Sequence, residues 1–266
     1  MALDNFQFIR LEYDPEKIAT ITLTRADKHN AFNEHVIVEL TAGFAKVKAE
    51  SASLLILQAE GKSFSAGADL DWMRRMAEYD FQQNVADANG LANMLHTLYS
   101  LPMPTIAKVQ GSAYGGGVGL VACCDLVVAS EQAKFCLSEV KLGLIPATIS
   151  PYVIAAVGAK VARRLFLTAE LFDAKQAHCW HLVSELAGLD ELDDVVDQWI
   201  KQLQQNSPAA MTASKRLVNE VANKPITAEL RQLTSERIAA ARTSAQGREG
   251  VTAFLEKRLP NWTNCE

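Results

Sequence analysis

Three segments of this chain combine residue types and spacings that suit chemistry on a carbonyl group. The first, Ser63-Phe64-Ser65-Ala66-Gly67-Ala68-Asp69-Leu70, follows the apolar run at Leu54 and precedes the helical-looking Trp72-Met73-Arg74-Arg75-Met76. Small residues at a helix start leave backbone N–H groups free, and these suit an anion or a carbonyl that becomes one. The same composition also serves a tight strand-to-helix turn. The second, Gly111-Ser112-Ala113-Tyr114-Gly115-Gly116-Gly117-Val118-Gly119, is rich in residues without a β-carbon, so either a ligand or a neighbouring strand can approach its backbone closely. It is not a Walker A loop, which would end in Gly-Lys-Ser/Thr, and it does not open a first βαβ unit as a dinucleotide fingerprint does. The third runs from Phe135 to Pro146 and surrounds Glu139 mainly with apolar neighbours. A buried carboxylate there would have a raised pKa suited to general acid/base work. The plainer expectation is a half-buried glutamate paired with Lys141 or an arginine.

Other candidates fall away. His178 and His181 stand one helical turn apart but lack a third ligand at a useful spacing, which favours packing or surface roles over metal. Ser65 lacks the G-x-S-x-G frame of a hydrolase nucleophile. Arg74-Arg75 reads as a solvated helix face.

Alternating strands and amphipathic helices would position these segments. Phe6 to Tyr13 and Lys17 to Thr24 alternate around Asp14-Pro15-Glu16 and predict a hairpin. From Asn33, the residues Ile37, Leu40, Phe44 and Val47 recur at helical spacing and lead to a strand at Leu54 to Gln58. A helix over Phe81 to Ser100 should stop at Leu101-Pro102-Met103-Pro104, with a strand over Thr105 to Val109 beyond it. Gly115 to Gly119 precedes one apolar segment, Val121 to Ala129, and Lys134 to Cys136 predicts a short strand. Strand signals fade after about residue 190, where Glu191 to Gln205, Ala209 to Val221, Ala228 to Ala241 and Glu249 to Lys257 read as helices. The expected organisation is an α/β core over 1–190 and a helical region over 191–266, with no internal repeat and no low-complexity linker.

Composition narrows the function classes. A chain of 266 residues, about half of them apolar, suits one main α/β domain with a helical appendage. A net charge of −5 argues against an extended nucleic-acid surface. Five cysteines, Cys123, Cys124, Cys136, Cys179 and Cys265, form no C-x-x-C pair, which favours a reducing compartment over a disulfide framework or zinc cage. Met1 to Arg10 has no basic-then-apolar leader and no run approaches a membrane span, so the expectation is a cytoplasmic protein.

Taken together and in order, the segments resemble the crotonase (enoyl-CoA hydratase/isomerase) superfamily over nearly the whole chain. Lys28-His29-Asn30-Ala31-Phe32-Asn33 is similar to its K-x-N-A-[LF] segment, and Phe64 to Leu70 to its F-[SC]-A-G-A-D-[LI] segment. Gly115-Gly116-Gly117 with Cys124-Asp125 resembles its glycine run and following C-D, and Ser138-Glu139 through Pro146 its P/S-E-x-x-x-G-x-x-P segment. The resemblance implies a spiral of ββα units with a helical C-terminal trimerisation region, assembling as a homotrimer or hexamer. It further implies an acyl-CoA substrate, with coenzyme A part of that substrate, no separate cofactor and no metal. The N–H groups of Ala68 and Gly116 would form the oxyanion hole. Lys28, Asn30, Ala31, Ala66, Asp69 and Leu70 would line the CoA channel, and Lys257 from a neighbouring helix would meet a CoA phosphate.

One position departs from the pattern. Family hydratases use two glutamates, and the first of these positions is Gly119 here, which leaves Glu139 alone. The leading expectation is a lyase that hydrates a 2-enoyl-CoA to a 3-hydroxyacyl-CoA through a thioester enolate, with Glu139 as acid/base. Phe135 to Val140 and Ile149-Ser150-Pro151-Tyr152-Val153 resemble the bacterial methylglutaconyl-CoA hydratase branch of leucine degradation. The second carboxylate of that substrate would pair with Arg74, Arg75 or Lys141. A double-bond isomerase needing one base is the alternative. A non-catalytic or RNA-binding homologue is the third reading, disfavoured by the acidic balance.

Overall fold

The computed structural model describes residues 6–263; Cys265 and the first five residues of the N-terminal leader expectation lie outside the described residues. Strands β1 (Ile9–Tyr13) and β2 (Ile18–Leu23) form the expected antiparallel hairpin. Helix α1 (Glu34–Ala49) begins where the Asn33 side chain accepts the Val36 N–H at 3.0 Å, a standard N-cap. It buries Val36, Ile37, Leu40, Phe44 and Val47. A β-carbon on Gly43 would lie 3.0 Å from Ile9 Cδ1 and 3.2 Å from Ile21 Cδ1, so glycine there lets the helix lie close against the hairpin.

Then come β3 (Leu54–Ala59), β4 (Ser63–Ser65), α2 (Leu70–Met76) and α3 (Phe81–Tyr99), followed by β5 (Thr105–Val109), β6 (Ser112–Tyr114) and α4 (Gly116–Cys123). An Asp80/Gln83 capping box starts α3. The third round is β7 (Leu126–Ser130), β8 (Lys134–Cys136) and α5 (Ser150–Thr168). Successive rounds give one strand to a six-stranded sheet, ordered β1-β2-β3-β5-β7-β10, and one to a four-stranded sheet, ordered β4-β6-β8-β9. This is the expected ββα spiral. After α5 come β9 (Leu171–Asp173), α6 (Ala174–Cys179) and β10 (Glu185–Ala187), and then α7 (Leu192–Gln204), α8 (Pro208–Val221), α9 (Ala228–Thr243) and α10 (Ala245–Leu255).

Strands β2, β3, β5 and β7 pair in parallel and are mostly apolar and buried, as strands covered on both faces are. The single apolar segment expected over Val121 to Ala129 is two elements, the end of α4 and most of β7. Asp125 explains the break, because its carboxylate accepts the Thr105 N–H at 2.8 Å and hydroxyl at 2.9 Å and ties the start of β7 to the start of β5. Helix α5 was not foreseen.

The chain divides into two compact units, one of residues 1–101 with 105–196, the other of residues 102–104 with 197–266. In the second unit Arg216 and Arg237 both hydrogen-bond the Glu220 carboxylate and hold it down to about pH 2. Among the described residues, no helix is long and apolar enough to cross a membrane.

Candidate active site

The small sheet brings the three sequence segments to one edge. Strands β4, β6 and β8 pair in parallel, with Ser63 opposite Ser112, Ser65 opposite Ala113, and Tyr114 opposite Cys136. Their C-terminal ends therefore deliver residues 66–69, 115–117 and 137–139 to the same side, the side on which open parallel sheets place ligands.

Two glycines draw the first two segments into contact. A β-carbon on Gly67, whose φ is +83°, would stand 3.0 Å from the Tyr114 carbonyl oxygen and 3.9 Å from Gly115 Cα. A β-carbon on Gly117 would stand 2.9 Å from the Ser65 side chain. Both readings of the glycine run are thus compatible: it permits close packing, and that packing sets Ala68 and Gly116 each one residue from a touching pair. Residue 68 forms a parallel bridge with Phe32, in which Phe32 N–H donates to the Gly67 carbonyl and Asp69 N–H to the Phe32 carbonyl. That geometry leaves the Ala68 N–H outside the pairing. Gly116 is the first residue of α4, where an N–H has no acceptor within the helix.

Glu139 completes the edge. Its Oε1 lies 3.2 Å from the place a Gly115 β-carbon would take, and its Oε2 is buried with no hydrogen-bond partner. Burial pushes the Glu139 carboxyl above the usual range, opposed only by its own backbone N–H. The expected pairing with Lys141 or an arginine is not present among the described residues. Lys141 is instead exposed, in the short 3-10 helix Glu139–Leu142.

The remaining predicted residues divide into structural and exposed groups. Asn30 is buried, and its Nδ2 donates to the carbonyls of Glu60 at 2.8 Å and Ser63 at 2.9 Å, pinning the turn that carries it to the start of β4. Ala31 is buried and its carbonyl accepts from Arg25 at 2.7 Å. Ser65 donates to the Asn30 carbonyl at 2.9 Å, so its hydroxyl is held in structure. Asp69 caps α2 by accepting the N–H groups of Asp71 and Trp72, and its Oδ2 pairs with Arg25 at 2.9 Å. Burial alone would raise the Asp69 carboxyl, but the Arg25 bond and the two N–H donors outweigh it and leave the group below its ordinary value. The N-terminus of α2 thus meets an anion from its own chain. Ala66 is half-buried, and Lys28, Ala68 and Leu70 are exposed. Lys257 is exposed in the second unit, just past α10, with φ +55°.

Arg74 and Arg75 are partnered, by Asp71 at 2.6 Å and Glu34 at 2.7 Å. Two residues of consequence were given no role of their own from sequence, although Ile149 stands in the Ile149–Val153 segment that carries a resemblance. Arg25 is 44 positions from Asp69, and no periodicity links them. Ile149 fills the space beside Gly119, where a side chain's absence was the available signal.

Comparison with known proteins agrees with this architecture. Residues 14–265 match the enoyl-CoA hydratase/isomerase family. A putative enoyl-CoA hydratase of Thermus thermophilus is 30% identical over 92% of this chain and 97% of its own. The 2,3-dehydroadipyl-CoA hydratase of Escherichia coli is 31% identical over 93% of this chain and 95% of its own. The crystal structure of an enoyl-CoA hydratase from Shewanella pealeana superimposes with a TM-score of 0.94 at 46% identity, covering 98% of this chain and 97% of that one. Members of this family act on acyl-CoA substrates, and by its motifs, its fold and its relatives this chain belongs to the enoyl-CoA hydratase/isomerase family.

Proposed function

We propose that the protein hydrates a 2-enoyl-CoA to a 3-hydroxyacyl-CoA with Glu139 as its acid/base group. The observation that carries the reading is the half-buried Glu139 carboxyl, its Oε2 buried and without a partner, beside Gly115 at the edge where the N–H groups of Ala68 and Gly116 have no backbone partner among the described residues. Addition of water next to a thioester puts negative charge on its carbonyl oxygen. The two N–H groups stabilise that enolate, each worth about 3 to 4 kcal/mol of barrier in comparable sites. Glu139 exchanges a proton with the carbon chain, and its raised pKa brings the protonated and ionised forms closer in energy at neutral pH.

The acyl group we favour is a dicarboxylic one, 3-methylglutaconyl-CoA. The segments Phe135 to Val140 and Ile149 to Val153 carry that resemblance, and the Escherichia coli relative is named for another dicarboxylic acyl-CoA. With Arg74 and Arg75 partnered by acidic side chains, Lys141 becomes the cation for the distal carboxylate. Coenzyme A enters as part of the substrate along Lys28 to Ala31 and Ala66 to Leu70, with Lys257 at a CoA phosphate, in a trimer or hexamer of a cytoplasmic enzyme. A second reading, double-bond isomerisation, is favoured by the same Gly119, since one base suffices to remove and return a proton.

The test is reaction of the purified protein with 3-methylglutaconyl-CoA and crotonyl-CoA in water labelled with heavy oxygen, alongside Glu139→Gln. Label in a 3-hydroxyacyl product, lost in the variant, is expected. Double-bond migration without label would replace hydration by isomerisation.

A further inference from the structure

Gly119 stands one helical turn beyond Gly115, its N–H 3.2 Å from the Gly115 carbonyl oxygen. Gly115 is the N-cap of α4 and Gly119 lies in its first turn. The Glu139 carboxyl borders Gly115, and Ile149 borders Gly119. A β-carbon on Gly119 would lie 2.4 Å from Ile149 Cγ2, 3.0 Å from Ile149 Cβ and 3.5 Å from Leu95 Cδ2. Even alanine does not fit there without displacement.

Ile149 is poorly placed to yield. Its β-carbon is branched and stiff, it is 2% exposed, and its carbonyl accepts the N–H groups of Tyr152 and Val153 at the start of α5. Leu95, fully buried on α3, closes the other side. An ionised side chain at 119 would therefore meet an apolar wall with no partner, a costly arrangement.

We infer that Ile149 is a specificity-determining residue, matched to Gly119, that closes the place one turn beyond Gly115, the glycine Glu139 borders, to a second acid/base group and to the water such a group would hold. This rests on the reading of Glu139 as the acid/base group. The restriction to one carboxylate is then a property of the pair, so that a glutamate introduced at 119 alone is excluded by packing.

A thermal-unfolding cycle on the full chain tests the pairing. Gly119→Ala should lower Tm while Ile149 is present, although alanine is the better helix former, and should leave Tm unchanged or raise it in an Ile149→Gly background. Ile149→Ala provides a second background with a smaller cavity. Equal Tm changes for Gly119→Ala in all backgrounds would overturn the pairing. Activity tests the specificity role: Gly119→Glu with Ile149→Gly should hydrate crotonyl-CoA at least about tenfold faster than Ile149→Gly alone, a modest share of what a placed acid/base group contributes. Gly119→Glu alone should not. A stable double variant with no gain overturns that role. Failure of the Glu139 reading would show separately, as hydration surviving Glu139→Gln with Gly119 and Ile149 untouched.

Discussion

The Glu139 carboxyl rests against the backbone of Gly115, with Oε1 3.2 Å from where a β-carbon on that glycine would stand. Gly115 also has φ +49° and ψ −118°, a conformation that favours glycine. Gly115→Ala should therefore strain the backbone and push Glu139 out of position. The expected cost is about 1 to 3 kcal/mol of stability. If Glu139 holds the proton in the reaction, kcat should fall more than KM rises; steady-state kinetics with denaturant titration would separate the two effects.

Glu139→Gln should abolish turnover yet leave the fold intact and stabilise it at neutral pH. The folded-state pKa lies above the unfolded one because burial disfavours the charge. Between the two, the native state keeps a proton the unfolded chain has released, so wild-type stability falls as pH rises through that window. Glutamine does not titrate. The variant's advantage in urea unfolding should grow from the unfolded pKa upward and level off above the folded one; a difference that shrinks with rising pH would contradict the burial argument.

How far this site was legible in the sequence depended on the range of the interaction. The hairpin, α1, the proline stop after α3 and the short strand before Glu139 follow from local pattern, and the structure has them within a few residues. Helix α5 was not read from the sequence, and it holds two residues that ordinarily interrupt a helix: Pro151 sits in the first turn, where its missing N–H does no harm, while Gly158 breaks the helical conformation at φ 76°. Strands β4, β6, β9 and β10 were not read from the sequence; with three residues each they are as short as β8, and none is long enough to show a period. That Glu139 is unpaired depends on which side chains the fold brings to its carboxyl, and that Asp69 is paired depends on a strand-end arginine far away in sequence. Neither is a property of a window of residues.

The Arg25–Asp69 pair joins the end of β2 to the start of α2, with both side chains largely buried. Removing one member of such a pair costs about 3 kcal/mol or more. Asp69→Asn should lose the ion pair while keeping a side chain that can cap α2, and Asp69→Ala should lose both, by about 1 kcal/mol further. Because the folded pKa is depressed, the Asp69 contribution is present above the unfolded pKa and is lost as pH falls through the folded one. Wild type and Asp69→Asn should converge in stability at strongly acidic pH; curves that stay parallel would show that the charge contributes nothing.

Lys141 carries the last prediction. It is exposed two residues from Glu139, and among the described residues it has no ion-pair partner, whereas Arg74 and Arg75 face Asp71 and Glu34. An acyl group ending in a carboxylate would find in it a cation that need not first leave another anion. Solvent weakens such a pair, and about 1 kcal/mol is a fair ceiling for an exposed one, so Lys141→Gln should raise KM for 3-methylglutaconyl-CoA by no more than about fivefold. The KM for crotonyl-CoA, which lacks the second carboxylate, should not move. Added salt should shrink the gap between wild type and variant, since the Debye length falls to about 3 Å at 1 M. Equal effects on both substrates would mean that Lys141 acts through the fold near Glu139, while no effect on either would leave the distal carboxylate in water and shift the choice of acyl group to the shape of the pocket.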